Sequence, residues 1–101
     1  MSGFVLAAET EMDLNDIWDY IAADSPDAAD RWMEKLFATF EALARNPGIG
    51  HKREALTPHP VLFFPVGSYL IIYRHRPEDC PVEIVAVTQG ARDIPAFLRT
   101  R

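Results

Sequence analysis

Ser25-Pro26-Asp27-Ala28-Ala29-Asp30 is the stretch that decides the fold, because it starts a helix within a few residues of where another has ended. Ser suits the N-cap, Pro suits the first helical position, where no N–H is needed, and Asp suits the positive end of the helix dipole. Upstream, from about Glu9 to Ala23, Leu14, Ile17, Trp18 and Ile21 fall at i, i+3, i+4 and i+7 and so share one face of a helix. Asp13, Asp16 and Asp19 take the other side, an acidic face expected to point into water, where nothing desolvates a carboxyl enough to make it an acid catalyst. Downstream, Ala29, Met33, Leu36, Phe40 and Leu43 repeat at spacings of four and three, with Trp32, Phe37 and Ala44 widening the stripe. Asn46-Pro47-Gly48 then stops the helix, since Pro breaks the hydrogen-bond ladder and Gly accepts left-handed geometry. The connection is so short that the two helices must pack antiparallel as a hairpin.

Beyond the polar and Pro-rich loop of residues 49–60 the periodicity changes from helical to extended. Val61-Leu62-Phe63-Phe64 and Tyr69-Leu70-Ile71-Ile72-Tyr73 flank Gly67-Ser68 and predict a β-hairpin with a tight turn. Pro65 cannot donate to a ladder and places the first strand at an edge or beside a bulge. A turn over residues 76–81 leads to a third β-rich run, Val82 to Gln89, completing a meander whose apolar face must bury against the helices. Phe4 to Ala7 is a short apolar run that reads as a strand or as a lead into the first helix. Asp93 is an N-cap for a short C-terminal helix or arm, with Pro95 in its first turn. The expected class is α+β: one domain over residues 1–101, with a helical hairpin on a small antiparallel sheet.

Composition narrows the function. The chain is 49% hydrophobic and 25% charged, the profile of a folded globular protein. Cys80 is its one cysteine, which excludes an internal disulfide and a Cys-based zinc site and suits a reducing cytoplasm. No secretory leader and no apolar run approaching the ~20 residues of a membrane helix is visible. The net charge is −5, unevenly spread: residues 1–30 carry eight acidic residues and no Lys or Arg, and the remainder carries all ten basic residues against seven acidic ones. Such a chain is a poor general binder of nucleic acid, whose affinity rests on phosphate neutralisation. His51, His59 and His75 match no metal-ligand spacing, and no phosphate loop or nucleophile elbow is present. A scattered basic set remains: Lys52 and Arg53 beside His51, Arg74 and Arg76 at a strand end, and Arg92 after Gly90. It forms a cationic site only if the sheet gathers those ends.

Taken in order, Asp16-Ile17-Trp18-Asp19-Tyr20-Ile21, Ser25 to Asp30, Asn46-Pro47-Gly48-Ile49-Gly50, Arg53-Glu54, Phe64-Pro65-Val66-Gly67-Ser68-Tyr69, Ile71-Ile72-Tyr73-Arg74 and Gly90-Ala91-Arg92-Asp93 resemble the ParE toxins of the RelE/ParE toxin-antitoxin superfamily, from about residue 4 to 98. The resemblance implies a β-α-α-β-β-β fold, a cognate ParD-like antitoxin bound in a hetero-oligomer, no cofactor, and no enzyme activity. It implies inhibition of DNA gyrase without sequence-specific nucleic-acid binding. RelE-like relatives are instead ribosome-dependent mRNA endonucleases, with Lys on the strand before the hairpin and Arg directly after the Tyr that follows its turn. Val61 to Phe64 and Leu70 stand at those places here, which favours the gyrase reading. Two alternatives stay open: the mRNA endonuclease, and a non-toxic relative that only binds antitoxin. Many relatives have His where Gln89 stands, so any imidazole role there is lost. The residues expected to meet the target are Lys52, Arg53, Tyr73, Arg74, Arg92 and Asp93. Those expected to line an antitoxin groove beside the hairpin are Trp18, Tyr20 and Trp32, with possible strand addition at a free sheet edge.

Overall fold

A computed structural model describes residues 3–53, 55–75 and 81–101; Glu54 and residues 76–80, with Arg76, Cys80 and all but the last residue of the turn expected over 76–81, lie outside the described residues. The chain runs β1 (Phe4–Leu6), α1 (Ala8–Ala22), α2 (Pro26–Arg45), a 3-10 turn (Pro47–Ile49), β2 (Leu62–Val66), β3 (Tyr69–His75), β4 (Val82–Gln89) and α3 (Ile94–Leu98). This is the expected α+β order. At the joint between the helices the Ser25 hydroxyl accepts the Ala28 N–H at 3.1 Å, and Pro26 occupies the first helical position. Asp93 caps α3 in the same way, accepting the Ala96 N–H at 3.2 Å.

The sheet has the order β1-β4-β3-β2. β2, β3 and β4 form the expected antiparallel meander, and Pro65 lies on the outermost of them, where its missing N–H costs no ladder bond. β1 joins as a fourth strand, parallel to β4, with Phe4 opposite Val82 and Leu6 opposite Ile84. It is only three residues long because α1 begins at once. α1 has no side-chain cap; the Ala7 N–H and the Thr10 hydroxyl both bond the Ile84 carbonyl, at 3.0 and 2.7 Å, so the helix start is anchored to the sheet instead. The β3–β4 register shifts between Ile72 and Tyr73, leaving Val85 as the extra residue of a bulge.

Alternation of side chains gives this sheet two buried faces. On one, Val66, Tyr69, Ile71, Tyr73, Val82, Ile84 and Val87 pack against Leu14, Ile17, Leu36, Phe40 and Leu43 of the hairpin. Full burial of a side chain such as Leu36, Phe40 or Leu43 stabilises by roughly 1.5–3 kcal/mol, so this layer carries much of the fold. On the other, Phe63, Leu70, Ile72, Val85 and Ala86 form a second core with Val61 and with Ile94 and Leu98 of α3. The single apolar face foreseen for the sheet is therefore two faces. The near-continuous apolar runs of β3 and β4 reflect burial on both sides.

Tyr73, expected at the target surface, is fully buried. Its hydroxyl donates to the Pro47 carbonyl at 2.7 Å and accepts the Gly50 N–H at 2.8 Å. A Cβ at Gly50 would stand 2.3 Å from that oxygen. The Asn46 to Gly50 segment and Tyr73 are two halves of one internal contact, and Tyr73 offers no surface to a partner.

Candidate functional site

The residues beyond β4 are positioned by three short backbone bonds. Gly90 N–H donates to the Ser68 carbonyl at 2.9 Å, Arg92 N–H to Gln89 at 3.1 Å and Phe97 N–H to Asp93 at 3.0 Å. Ile94 and Leu98 seat α3 on the second core, leaving Phe97 half-buried beside it. The Arg92 guanidinium lies 4.8 Å from the Phe97 ring centroid, and Arg101 lies 4.6 Å from the same ring. Arg101 also ion-pairs with Asp13 and reaches the Val85 carbonyl, and Asp13 accepts the Val87 N–H at 3.1 Å.

Asp13 corrects the expectation that the α1 carboxylates all face water. Its side chain is only 13% exposed, held between α1 and the part of β4 that β1 does not reach. Burial pushes its carboxyl above the usual range, outweighing the opposing contributions of Arg101 and the Val87 N–H. No local signal joins Asp13 to Arg101, which lie 88 positions apart.

Arg92 opens onto a cleft of about 230 Å³ between α1 and the end of β4, lined also by Asp13, Asp16, Tyr20, Tyr69 and Gln89. Lys52 and Arg53 line a different depression with Thr57, His59 and Val61, next to the β2 edge where His51 bridges to Phe63. Arg53 sits 6.0 Å from the Phe63 ring, near the outer limit of a cation–π contact. Arg74 borders a third hollow and pairs across the sheet with Glu83 at 2.8 Å. The basic residues, which would form one cationic site only if the sheet gathered them, are thus divided: the hollows of Arg53 and Arg74 share His59 and Val61, Arg92 lies at a separate cleft, and Asp93 is engaged as the cap of α3.

The expected antitoxin residues divide similarly. Tyr20 is 71% exposed beside Tyr69, and Trp32 meets Tyr69 edge to face with centroids 5.2 Å apart. Burial, and then the neighbouring Tyr20, push the Tyr69 phenol up. Tyr20, Tyr69 and Trp32 make an aromatic run from the cleft toward Gly67, with Lys35 5.0 Å over the Trp32 ring. Trp18 lies about 200° around the helix from Tyr20. Its indole N–H donates to Asp30 at 2.9 Å across the hairpin, which separates it from that run. Sequence reasoning missed Tyr69, Phe97, Arg101 and the partnered state of Asp13. Of these, only Tyr69 carried a local signal, its place directly after the hairpin turn.

Among the described residues no helix is long and apolar enough to cross a membrane. A search of curated proteins returned no match. A family model described as the ParE toxin of the type II toxin-antitoxin system, parDE, matches residues 4–94. With the β-α-α-β-β-β order and a match over nearly its whole length, the chain belongs to the ParE toxin family of type II toxin-antitoxin systems.

Proposed function

We propose that this toxin acts in the cytoplasm by binding DNA gyrase, a type II topoisomerase, and not by cutting nucleic acid, and that a ParD-like antitoxin neutralises it. The observation that carries the reading is the sheet face beneath α3. Cleaving RNA through its 2′-hydroxyl calls for cations to stabilise the charged transition state. The mRNA-cleaving branch of the superfamily that the resemblance brings in carries those cations on the strand before the hairpin and just after the hairpin Tyr. Here Phe63 is 1% and Leu70 4% exposed, packed into the second core with Ile94 and Leu98. A cation at either place would be buried without a partner. The net charge of −5 adds to this, because docking into an RNA-built site would set like charges against one another.

Arg92 is the cation that best fits a target contact, since it is exposed at the rim of the α1–β4 cleft. The aromatic run of Tyr20, Tyr69 and Trp32 fits an apolar stripe of the antitoxin, in helix-in-groove fashion. Purified toxin is expected to stabilise gyrase–DNA cleavage complexes. Arg92→Ala is expected to weaken growth arrest while still being held by the antitoxin. Undiminished arrest by Arg92→Ala would rule out this surface, and mRNA cleavage on the ribosome with gyrase unaffected would reverse the assignment.

A further inference from the structure

We propose that Phe97 and Arg101 are positioning residues that hold the Arg92 guanidinium ready for one carboxylate on the surface of a protein target, with Asp13 anchoring the assembly. The inference rests on the reading of Arg92 as a target contact. Its basis is a contrast among the basic side chains. Arg74 is neutralised by Glu83 and Arg101 by Asp13. Lys35 lies over Trp32, away from the cleft of Arg92. Arg92, like Arg53, makes no ion pair among the described residues, but it lies closer to its ring, 4.8 Å from Phe97 against 6.0 Å for Arg53 from Phe63.

Holding a cation on a ring without neutralising it has a definite physical effect. A free Arg loses rotamer entropy on being fixed at an interface, and a ring that already restrains it removes part of that cost. An ion pair would restrain it as well but would cancel the charge the target must meet. The second guanidinium explains how the ring stays in place. Arg101 lies 4.6 Å from the same ring centroid and is itself tied to Asp13 and to the Val85 carbonyl. Two cations on one ring repel. Asp13 offsets the charge of Arg101 and leaves Arg92 as the uncompensated one. The chain of contacts therefore runs from α1 through the C-terminal segment to the rim of the cleft.

The local field selects the class of partner. Asp13 and Asp16 line the same cleft as Arg92. A polyanion such as DNA would meet them along with the Arg, whereas a single carboxylate can approach the guanidinium fork alone.

Two measurements test this. In purified toxin, side-chain 15N relaxation of the Arg92 Nε–H should show order approaching that of the α3 backbone. That order should fall in Phe97→Leu, which keeps an apolar anchor but removes the ring. In cells, Arg92→Ala should raise the toxin dose needed for growth arrest about tenfold and Phe97→Leu several-fold, and the double variant should be no weaker than Arg92→Ala alone, the non-additivity of residues acting as a unit. Arg101→Ala gives the same cycle should Phe97→Leu fail to fold. A mobile Arg92 in the wild type, or losses that add in the double variant, would overturn the inference. Full toxicity of Arg92→Ala would instead remove the target-contact reading and leave the relaxation result to judge the stacking.

Discussion

Tyr73 shows how a single hydroxyl can organise a loop. It satisfies the Pro47 carbonyl and the Gly50 N–H together, so Tyr73→Phe leaves both without their partner while barely changing the packing of the ring. The expected loss of stability is about 1–3 kcal/mol, read as a shift in the denaturant midpoint with the slope unchanged. A loss under a few tenths would mean that water replaces the hydroxyl. The same residue marks the limit of reading sites from sequence. Tyr73 and Arg74 are neighbours at the end of an apolar run, and a strand sends neighbours to opposite faces. Which face is covered depends on a hairpin packed from elsewhere in the chain. Asp13 was misread for a related reason. Its place on α1 is correct, but helical periodicity does not show that β1 ends at Leu6, leaving the Val87 N–H for its carboxylate.

At the scale of elements, most of the chain was legible because its punctuation is local. Ser25-Pro26 and Asp93 supply caps, and Pro47 stops α2 at Arg45, whereas Gly48 lies inside the 3-10 turn that follows and does not take the expected left-handed geometry. What stayed hidden was pairing between distant segments: β1 beside β4, the bulge at Val85, and α3 laid over the second face of the sheet. The candidate site suffered most from this. Its basic residues sit on three separate elements, and only tertiary structure could show that Lys52 and Arg53 lie apart from Arg92. The β2–β3 turn couples stability to the aromatic run. Gly67 has φ of 59°, and a Cβ there would approach the Trp32 ring to 2.7 Å. Gly67→Ala combines left-handed strain of roughly 1–2 kcal/mol with displacement of Trp32 from Tyr69. It should lower stability and weaken antitoxin binding together, as measured by thermal unfolding and by titration with the antitoxin. Loss of stability with antitoxin affinity unchanged would take Trp32 out of the groove.

At the scale of the molecule, an acidic helical hairpin covers one face of the sheet, and α3 with Val61 covers the other. Among the described residues, both faces of the sheet are packed. Its exposed chemistry is left to the rims, where Arg92 stands at the end of β4 with Tyr20 across the cleft. That arrangement fits the proposed action by binding another protein. One assay tests the proposed gripping without catalysis directly. Purified toxin is incubated with gyrase, ATP and supercoiled plasmid, and in parallel with ribosomes translating a defined mRNA. Protein-linked cleaved plasmid that increases with toxin is expected, with the mRNA intact. Unchanged plasmid alongside mRNA cut on the ribosome would show an mRNA endonuclease instead.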